Sequence, residues 1–310
     1  MKILVTGGAG FIGSNIVDAY LAAGHEVFVL DDLSSGVVEN LSPKAKFFQM
    51  DIRDPKVEKI FEENKFDVMN HLAAQMDVRK SVADPVFDST VNVTGTLNLL
   101  ENCHKHGVKK VVFSSTGGAI YGEQDYFPAD ESHPTRPLSP YGIAKLAVEK
   151  YLFFYNAVHG MDYVVLRYAN VYGPRQNPHG EAGVVAIFSS KLLKGEEPVI
   201  NGDGKQTRDY TYVGDVVRAN VLALEYRKSD IFNIGTGKET DVNVLYRKLR
   251  DAVGSKAAEK HGPAKAGEQM RSVIDHSKAK NILGWEPKVS LDEGIKLTVD
   301  FFRHKIKGNA

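Results

Sequence analysis

Short apolar runs recur along the first three quarters of the chain, separated by stretches whose apolar residues fall at helical spacing. Lys2 to Thr6, Glu26 to Leu30, Lys46 to Asp51, Phe66 to Leu72, Lys110 to Ser115, Tyr163 to Arg167 and Ile231 to Gly235 read as strands. Between them, residues 55 to 64 read as a polar helix. A longer helix is expected from about Ser89 to His106, with Val93, Leu97, Leu100 and Cys103 on one stripe and Gly107 at its end. Tyr141 to His159 carries Ala144, Val148, Leu152 and Tyr155 in the same way. Strand and helix in alternation predict an α/β fold with a doubly wound parallel sheet, covered on both faces and joined by right-handed crossovers.

Beyond Tyr168 the rhythm loosens. Residues 170 to 178 have loop chemistry, a helix is expected at 182 to 194, a strand and turn at 198 to 204, and a helix at 214 to 226; later segments read as helical and polar. The expected division is a first domain of residues 1–167 with a returning segment at about 208–236. Residues of about 168–207 and 237–310 form a smaller α/β domain interleaved with it.

The first strand breaks into Gly7-Gly8-Ala9-Gly10-Phe11-Ile12-Gly13. Strand, glycine turn and helix in that order are what a dinucleotide site needs: one glycine for the turn, one for close approach to a pyrophosphate, one for helix on strand. The helix start offers N–H groups and partial positive charge to the phosphates. The second strand ends in Asp31 and Asp32, where an acid holds the adenosine ribose. Asp31 is the better placed of the two, and Asp32 reads equally as a turn residue. An acid there repels a 2′-phosphate, so NAD is expected over NADP, on a Rossmann-type sheet. Other candidate cofactor residues are Ser35 and Gly36 in the next loop, Asp51 and Ile52 where an adenine could rest, and Leu72, Ala73 and Ala74, whose small size allows close backbone approach.

Composition narrows the partners. Lysine plus arginine and aspartate plus glutamate number 39 each, so no global field attracts nucleic acid or an anionic membrane. The one cysteine, Cys103, lies in an apolar helical pattern and suits a reducing cytoplasm. The histidines are scattered and indicate no metal site. Neither a secretory leader nor a membrane-spanning run is expected.

Tyr141 and Lys145 stand four apart on one helix face. An ammonium beside a phenol favours the phenolate, which can take a proton from a substrate hydroxyl. The preceding strand ends in Ser114-Ser115-Thr116, any of whose hydroxyls could hold the same substrate oxygen. Such clusters also form plain turns. Residues 117 to 139 read as a long loop at the sheet's carboxyl edge.

The motifs TGGAGFIG, SST followed by YG, YGIAK at 141 to 145, LRYANVYGP at 166 to 174 and GW at 284 and 285 resemble the extended short-chain dehydrogenase/reductase family. Within it, the chain is similar to the nucleotide-sugar epimerases that include UDP-glucose 4-epimerases. The resemblance implies tightly held NAD, reduced and re-oxidised in each turnover, and a 4-keto sugar that turns over in the pocket. It implies that Tyr141 deprotonates the 4-hydroxyl, that Thr116 orients it and that Lys145 also holds the nicotinamide ribose. Asn92, Ser114 and Tyr168 fall on the cofactor side, and Asn170, Arg208 and Tyr210 on the nucleotide side. The turn SSTGGAIYG is one residue longer than the common epimerase form, which leaves Ser115 a rival to Thr116. Gly117-Gly118 replaces the Asp-Glu of related dehydratases and weighs against dehydration. Lys265 stands where the family usually has arginine, Glu268 where an acid holds the uridine ribose, and Ser272 at the gate of the sugar pocket. A small gate suits UDP-N-acetylhexosamines. The family also implies a homodimer packed through the helices at about 90 to 106 and 141 to 159. Competing readings are a nucleotide-sugar reductase that releases reduced cofactor and a binding protein that has lost catalysis.

Overall fold

The structure is a computed structural model that describes residues 1–178, 183–264 and 269–308. Seven strands form its central sheet: β1 (Lys2–Thr6), β2 (Glu26–Asp31), β3 (Lys46–Gln49), β4 (Val68–His71), β5 (Lys110–Thr116), β6 (Asp162–Tyr168) and β7 (Asp230–Ile234). All their pairings are parallel, in the order β7-β6-β5-β4-β1-β2-β3. Successive side chains of a strand point to opposite faces. Thus Ile3, Val5, Val27, Val29, Val112 and Val164 build one core layer, and Leu4, Phe28, Leu30, Met69, Val111 and Phe113 the other. Because β1 pairs with both β2 and β4, the winding reverses there and opens a crevice at the strands' carboxyl ends.

The helices follow from local chemistry. α1 (Phe11–Ala22) starts at Gly10 with no side-chain cap. α2 (Val57–Asn64) ends at Lys65 in the left-handed region, φ 52°. α3 (Val78–Ala83), absent from the sequence reading, is started by the Asp77 side chain, which accepts from Lys80 N–H. α4 (Pro85–Ser89) begins at Asp84, whose side chain accepts from Phe87 N–H, with proline in its first turn. It runs through a π turn at Thr90–Gly95 into α5 (Thr96–Lys105). The expected helix therefore starts earlier than about Ser89 and is interrupted. The Thr96 hydroxyl donates to the Asn92 carbonyl at 2.7 Å inside the interrupted turn. α6 (Pro140–His159) is capped by Ser139 and closed by Gly160 at φ 70°.

A second core lies beyond β6. Strand Asn170–Tyr172 pairs with Tyr210–Tyr212, Thr207–Arg208 lies between Thr240–Asp241 and Arg271–Ser272, and Val199–Asn201 pairs with Lys260–Gly262. Around them pack α7 (Val184–Leu193), α9 (Val242–Val253) and α11 (Leu291–Gly308), while α8 (Val213–Glu225) and α10 (Ser277–Leu283) pack on the first core. Tyr172, Phe188, Ile200, Leu245, Tyr246, Ile295 and Val299 fill this core. α8 instead covers the sheet. The sequence division assigns all of 237–310 to the second unit, yet Ala279, Leu283 and Trp285 pack in the sheet's core. The Trp285 indole donates to the Asp215 carbonyl at 2.8 Å, which draws this segment toward α8. Among the described residues, no helix is long and apolar enough to cross a membrane.

Candidate active site

The glycine turn closes against β2 and the loop after β4. Gly7 has φ 70°, and its N–H donates to the Leu30 carbonyl at 2.9 Å. A Cβ at Gly7 would stand 2.7 Å from Ala73 N, and one at Gly13 would stand 2.1 Å from the Gly7 carbonyl oxygen. At Gly10 the nearest atom is 3.2 Å away. The uncapped start of α1, carrying Phe11 and Ile12, thus faces the crevice across a turn stripped of side chains.

Asp31 spans this turn. Its carboxylate accepts from Ala9 N–H and Leu33 N–H, both at 2.9 Å. Burial raises its pKa while those two donors lower it. Gly36 packs beside it, where a Cβ would come within 3.0 Å of Asp31 Oδ1. Asp32 is exposed and accepts from the N–H and hydroxyl of Ser34, so it forms the turn. Ser35 is likewise exposed. Ile52 packs over Gly95 in the core, and Asp51 is engaged by Arg53.

The loop after β4 is fixed from below. Leu72 and Ala73 N–H donate to Thr6 Oγ1, both at 3.2 Å, and Ala74 follows. The Thr6 hydroxyl donates to His71 Nδ1 at 2.7 Å, and His71 Nε2–H donates to Thr96 Oγ1 at 2.8 Å; this tautomer follows because Thr96 already donates to Asn92. Burial, with the Lys145 charge, pushes His71 down to about 3, so it is a neutral pin. The Asn92 amide oxygen accepts from Gln75 N–H at 2.9 Å, and its NH₂ donates to the Gln75 carbonyl and to Asp88 Oδ1. The side chain clamps the loop after β4.

Tyr141 and Lys145 stand on the face of α6 directed at β5. Lys145 is buried, and its ammonium donates to the Ser114 carbonyl at 2.9 Å and lies 5.8 Å from the Tyr141 ring centroid. Burial lowers Lys145 to about 8, against the opposing pull of Asp88 and Glu149. Tyr141 is raised above its ordinary value, by desolvation first and then by Asp88. Desolvation thus works against the phenolate expected from the sequence. Asp88 is 1% exposed, and its Oδ2 has no hydrogen-bond partner among the described residues. Sequence reasoning missed it; its place four residues before Asn92 was the available signal.

The three hydroxyls at the end of β5 part company. Ser114 Oγ pairs with the Tyr168 hydroxyl at 3.1 Å, and Tyr168 also accepts from Asn220, so both groups are spent in the interior. Ser115 Oγ donates to Glu149 Oε1 at 2.7 Å. Thr116 Oγ1 accepts from Ala119 N–H at 3.2 Å and stands at the sheet's edge. A Cβ on Gly118 would meet only Asn170 Oδ1 at 3.6 Å and Thr116 Oγ1 at 3.8 Å, so exposed Asn170 and Thr116 border one open space. Arg208 and Ser272 are register partners, and Asp209 N–H donates to the Ser272 carbonyl at 3.0 Å. The Tyr210 ring is buried in the second core. Lys265 and Glu268 lie outside the described residues. No cluster of metal-ligating side chains occurs among the described residues.

Residues 3–235 match the family described as the NAD dependent epimerase/dehydratase family. A UDP-glucose 4-epimerase of Mycolicibacterium smegmatis is 49% identical over 98% of this chain and 99% of its own. The crystal structure of a UDP-glucose 4-epimerase from Thermotoga maritima with UDP-glucose superposes with a TM-score of 0.97 at 53% identity, over 99% of this chain and all 100% of that one. A Thermus thermophilus UDP-glucose 4-epimerase in complex with NAD gives 0.93 at 48%, over 98% and 99% of the two chains. Glycine turn, buried Asp31 and paired tyrosine and lysine lie at one edge of a sheet shared over the whole length, and with these matches the chain belongs to the NAD dependent epimerase/dehydratase family.

Proposed function

We propose that this chain interconverts UDP-glucose and UDP-galactose at C4 through a transient 4-keto sugar, with NAD as its tightly held cofactor. The observation that carries the reading is the Lys145 ammonium bonded to the end of β5 beside Tyr141, at the edge where the glycine turn opens. The residues present suit NAD: a turn without side chains, an uncapped helix start and a buried carboxylate at the end of β2. When bound, NAD supplies the acceptor and donor of hydride at the sugar C4. Tyr141 takes the proton of the 4-hydroxyl and later returns it. Lys145, charged below about pH 8, offsets the phenolate's charge. Thr116 holds O4; its support over Ser115 is that the Ser115 hydroxyl is already committed to Glu149. Asn170 and Arg208 serve the nucleotide and sugar.

Dehydration lacks its groups here. Gly117 and Gly118 bring no acid or base to the open space beside Thr116, and a Cβ at Gly117 would meet Ile274 at 2.7 Å. The division into an NAD-binding unit and a nucleotide-sugar unit stands on the two cores, with the segment 277–285 counted to the first.

Proton NMR of the C4 configuration, with UDP-glucose or UDP-N-acetylglucosamine and no added cofactor, tests the assignment. The galacto form should appear from UDP-glucose; no exchange, even with NAD supplied, moves the reductase reading forward. Ser272 is 3% exposed beside Arg208. Ser272→Tyr is expected to lower turnover of the N-acetylhexosamine at least about tenfold with UDP-glucose turnover retained. Equal change on both sugars would remove Ser272 from substrate choice.

The outer face of α6 leaves Ile143, Tyr151, Phe154 and Val158 exposed, and α4 leaves Val86 exposed. An apolar stripe of this kind on one helix suits a homodimer. Light scattering giving the mass of a single chain, 34.2 kDa, would overturn the dimer. Buried Cys103 suits the cytoplasm, which cell fractionation checks.

A further inference from the structure

Below Lys145, α6 carries a third residue at the same spacing. Tyr141, Lys145 and Glu149 are four apart, so one helix face presents all three to the sheet. Glu149 is 2% exposed. Its Oε1 accepts from Ser115 Oγ at 2.7 Å and from Arg167 Nε at 3.0 Å, and its Oε2 accepts from the other arm of the Arg167 fork at 2.6 Å. Ser115 and Arg167 are themselves partners in the β5–β6 ladder. Arg167 also donates to the Tyr121 hydroxyl at 2.9 Å, and Tyr121 donates to Asn233 Oδ1 on β7 at 2.7 Å. One carboxylate thus joins α6 to the carboxyl ends of three neighbouring strands.

We propose that Glu149 is a positioning residue that sets the Thr116 hydroxyl against Tyr141 by holding Ser115 and α6 to one buried bidentate pair. The proposal rests on the roles given above to Tyr141 and Thr116. A buried ion pair adds little to stability over well-packed apolar side chains of equal volume, because desolvation offsets its attraction. What the fork adds is fixed geometry. Burial pulls Arg167 down, but the Glu149 bonds and charge more than offset it and the net shift is upward, so the guanidinium stays charged. With Ser115 held to α6, the end of β5 that carries Thr116 keeps its place at the sheet's carboxyl edge. Loss of the Ser115 bond frees the last strand residue from the helix that carries its reaction partner. A displacement of about 1 Å between such groups can cost up to about a hundredfold in rate.

The test is a double-mutant cycle on the holoenzyme, with kcat, KM and bound NAD measured for each variant. Ser115→Ala is expected to lower kcat about tenfold, with KM within about twofold and NAD content unchanged. Ser115→Thr, which keeps the donor, should restore most of the loss. In a Thr116→Ala background Ser115→Ala should have no further effect, since it acts through Thr116. The paired Glu149→Met and Arg167→Met variant, with Ser115 and Thr116 intact, should fold, retain NAD and show the same selective loss of kcat. Full turnover in Ser115→Ala, independent effects of the two substitutions, or full turnover in the Met pair would each overturn the proposal. Tyr141→Phe run alongside separates the two failures: if it stays active, the reading of Tyr141 fails, and if it is inactive while Ser115→Ala is unaffected, only the positioning fails.

Discussion

Tyr141→Phe is expected to lower epimerisation about a hundred- to ten-thousandfold while the enzyme keeps its NAD. The phenyl ring retains the packing of Tyr141 in the first turn of α6, where Ser139 caps the helix, so the fold has little reason to change. The hydroxyl is different. Hydride can leave C4 only as the 4-hydroxyl gives up its proton, and no other described group combines the placement of Tyr141 with a neighbouring ammonium. Burial and Asp88 raise the Tyr141 pKa, and an ammonium beside a phenol favours the phenolate. Because the missing interaction acts in the transition state, kcat should fall with KM nearly unchanged. Turnover by NMR and bound NAD by absorbance, measured on one preparation, check this. A variant that keeps a tenth or more of the wild-type turnover would remove Tyr141 from the proton transfer.

Gly13→Ala is expected to yield protein without NAD and therefore without self-contained activity. Its new Cβ would stand 2.1 Å from the Gly7 carbonyl oxygen and 2.9 Å from Gly8 Cα. Both are backbone atoms, so relief requires α1 to move away from β1. That movement displaces the N–H groups offered to the pyrophosphate and costs about 1–3 kcal/mol as overpacking. Gly10→Ala separates fold from binding: its Cβ meets nothing nearer than 3.2 Å within the protein but enters the phosphate's approach. It should melt like the wild type and still lose cofactor. Wild-type NAD content in Gly13→Ala, shown by acid release and absorbance, would contradict the close-packed turn.

The alternation of strands and helices, the glycine turn and the Tyr141–Lys145 spacing were legible in the sequence, since each depends on neighbours a few positions apart. Helical spacing puts i and i+4 on one face wherever the helix packs, and a turn that needs φ near 70° selects glycine at Gly7 in any fold. Asp31 was legible because strand and glycine turn set its place. Where partners lie far apart in sequence, the pattern left alternatives open. Ser115 and Thr116 are both small hydroxyl residues after one strand; only the packing of α6, which brings Glu149 to Ser115 across 34 positions, tells them apart. Asn92 has the composition of a ligand-binding amide, but the loop after β4 takes up its hydrogen bonds. Ile52 and Tyr168 are directed inward by the layers above them. The sequence by itself determined the order of elements, the cofactor turn and the pairing of tyrosine with lysine, because these are local in the chain. Only the tertiary structure decided which hydroxyl is spent, which amide is clamped and which core receives residues 279 to 285, because each is a choice among contacts that exist only once the chain has folded.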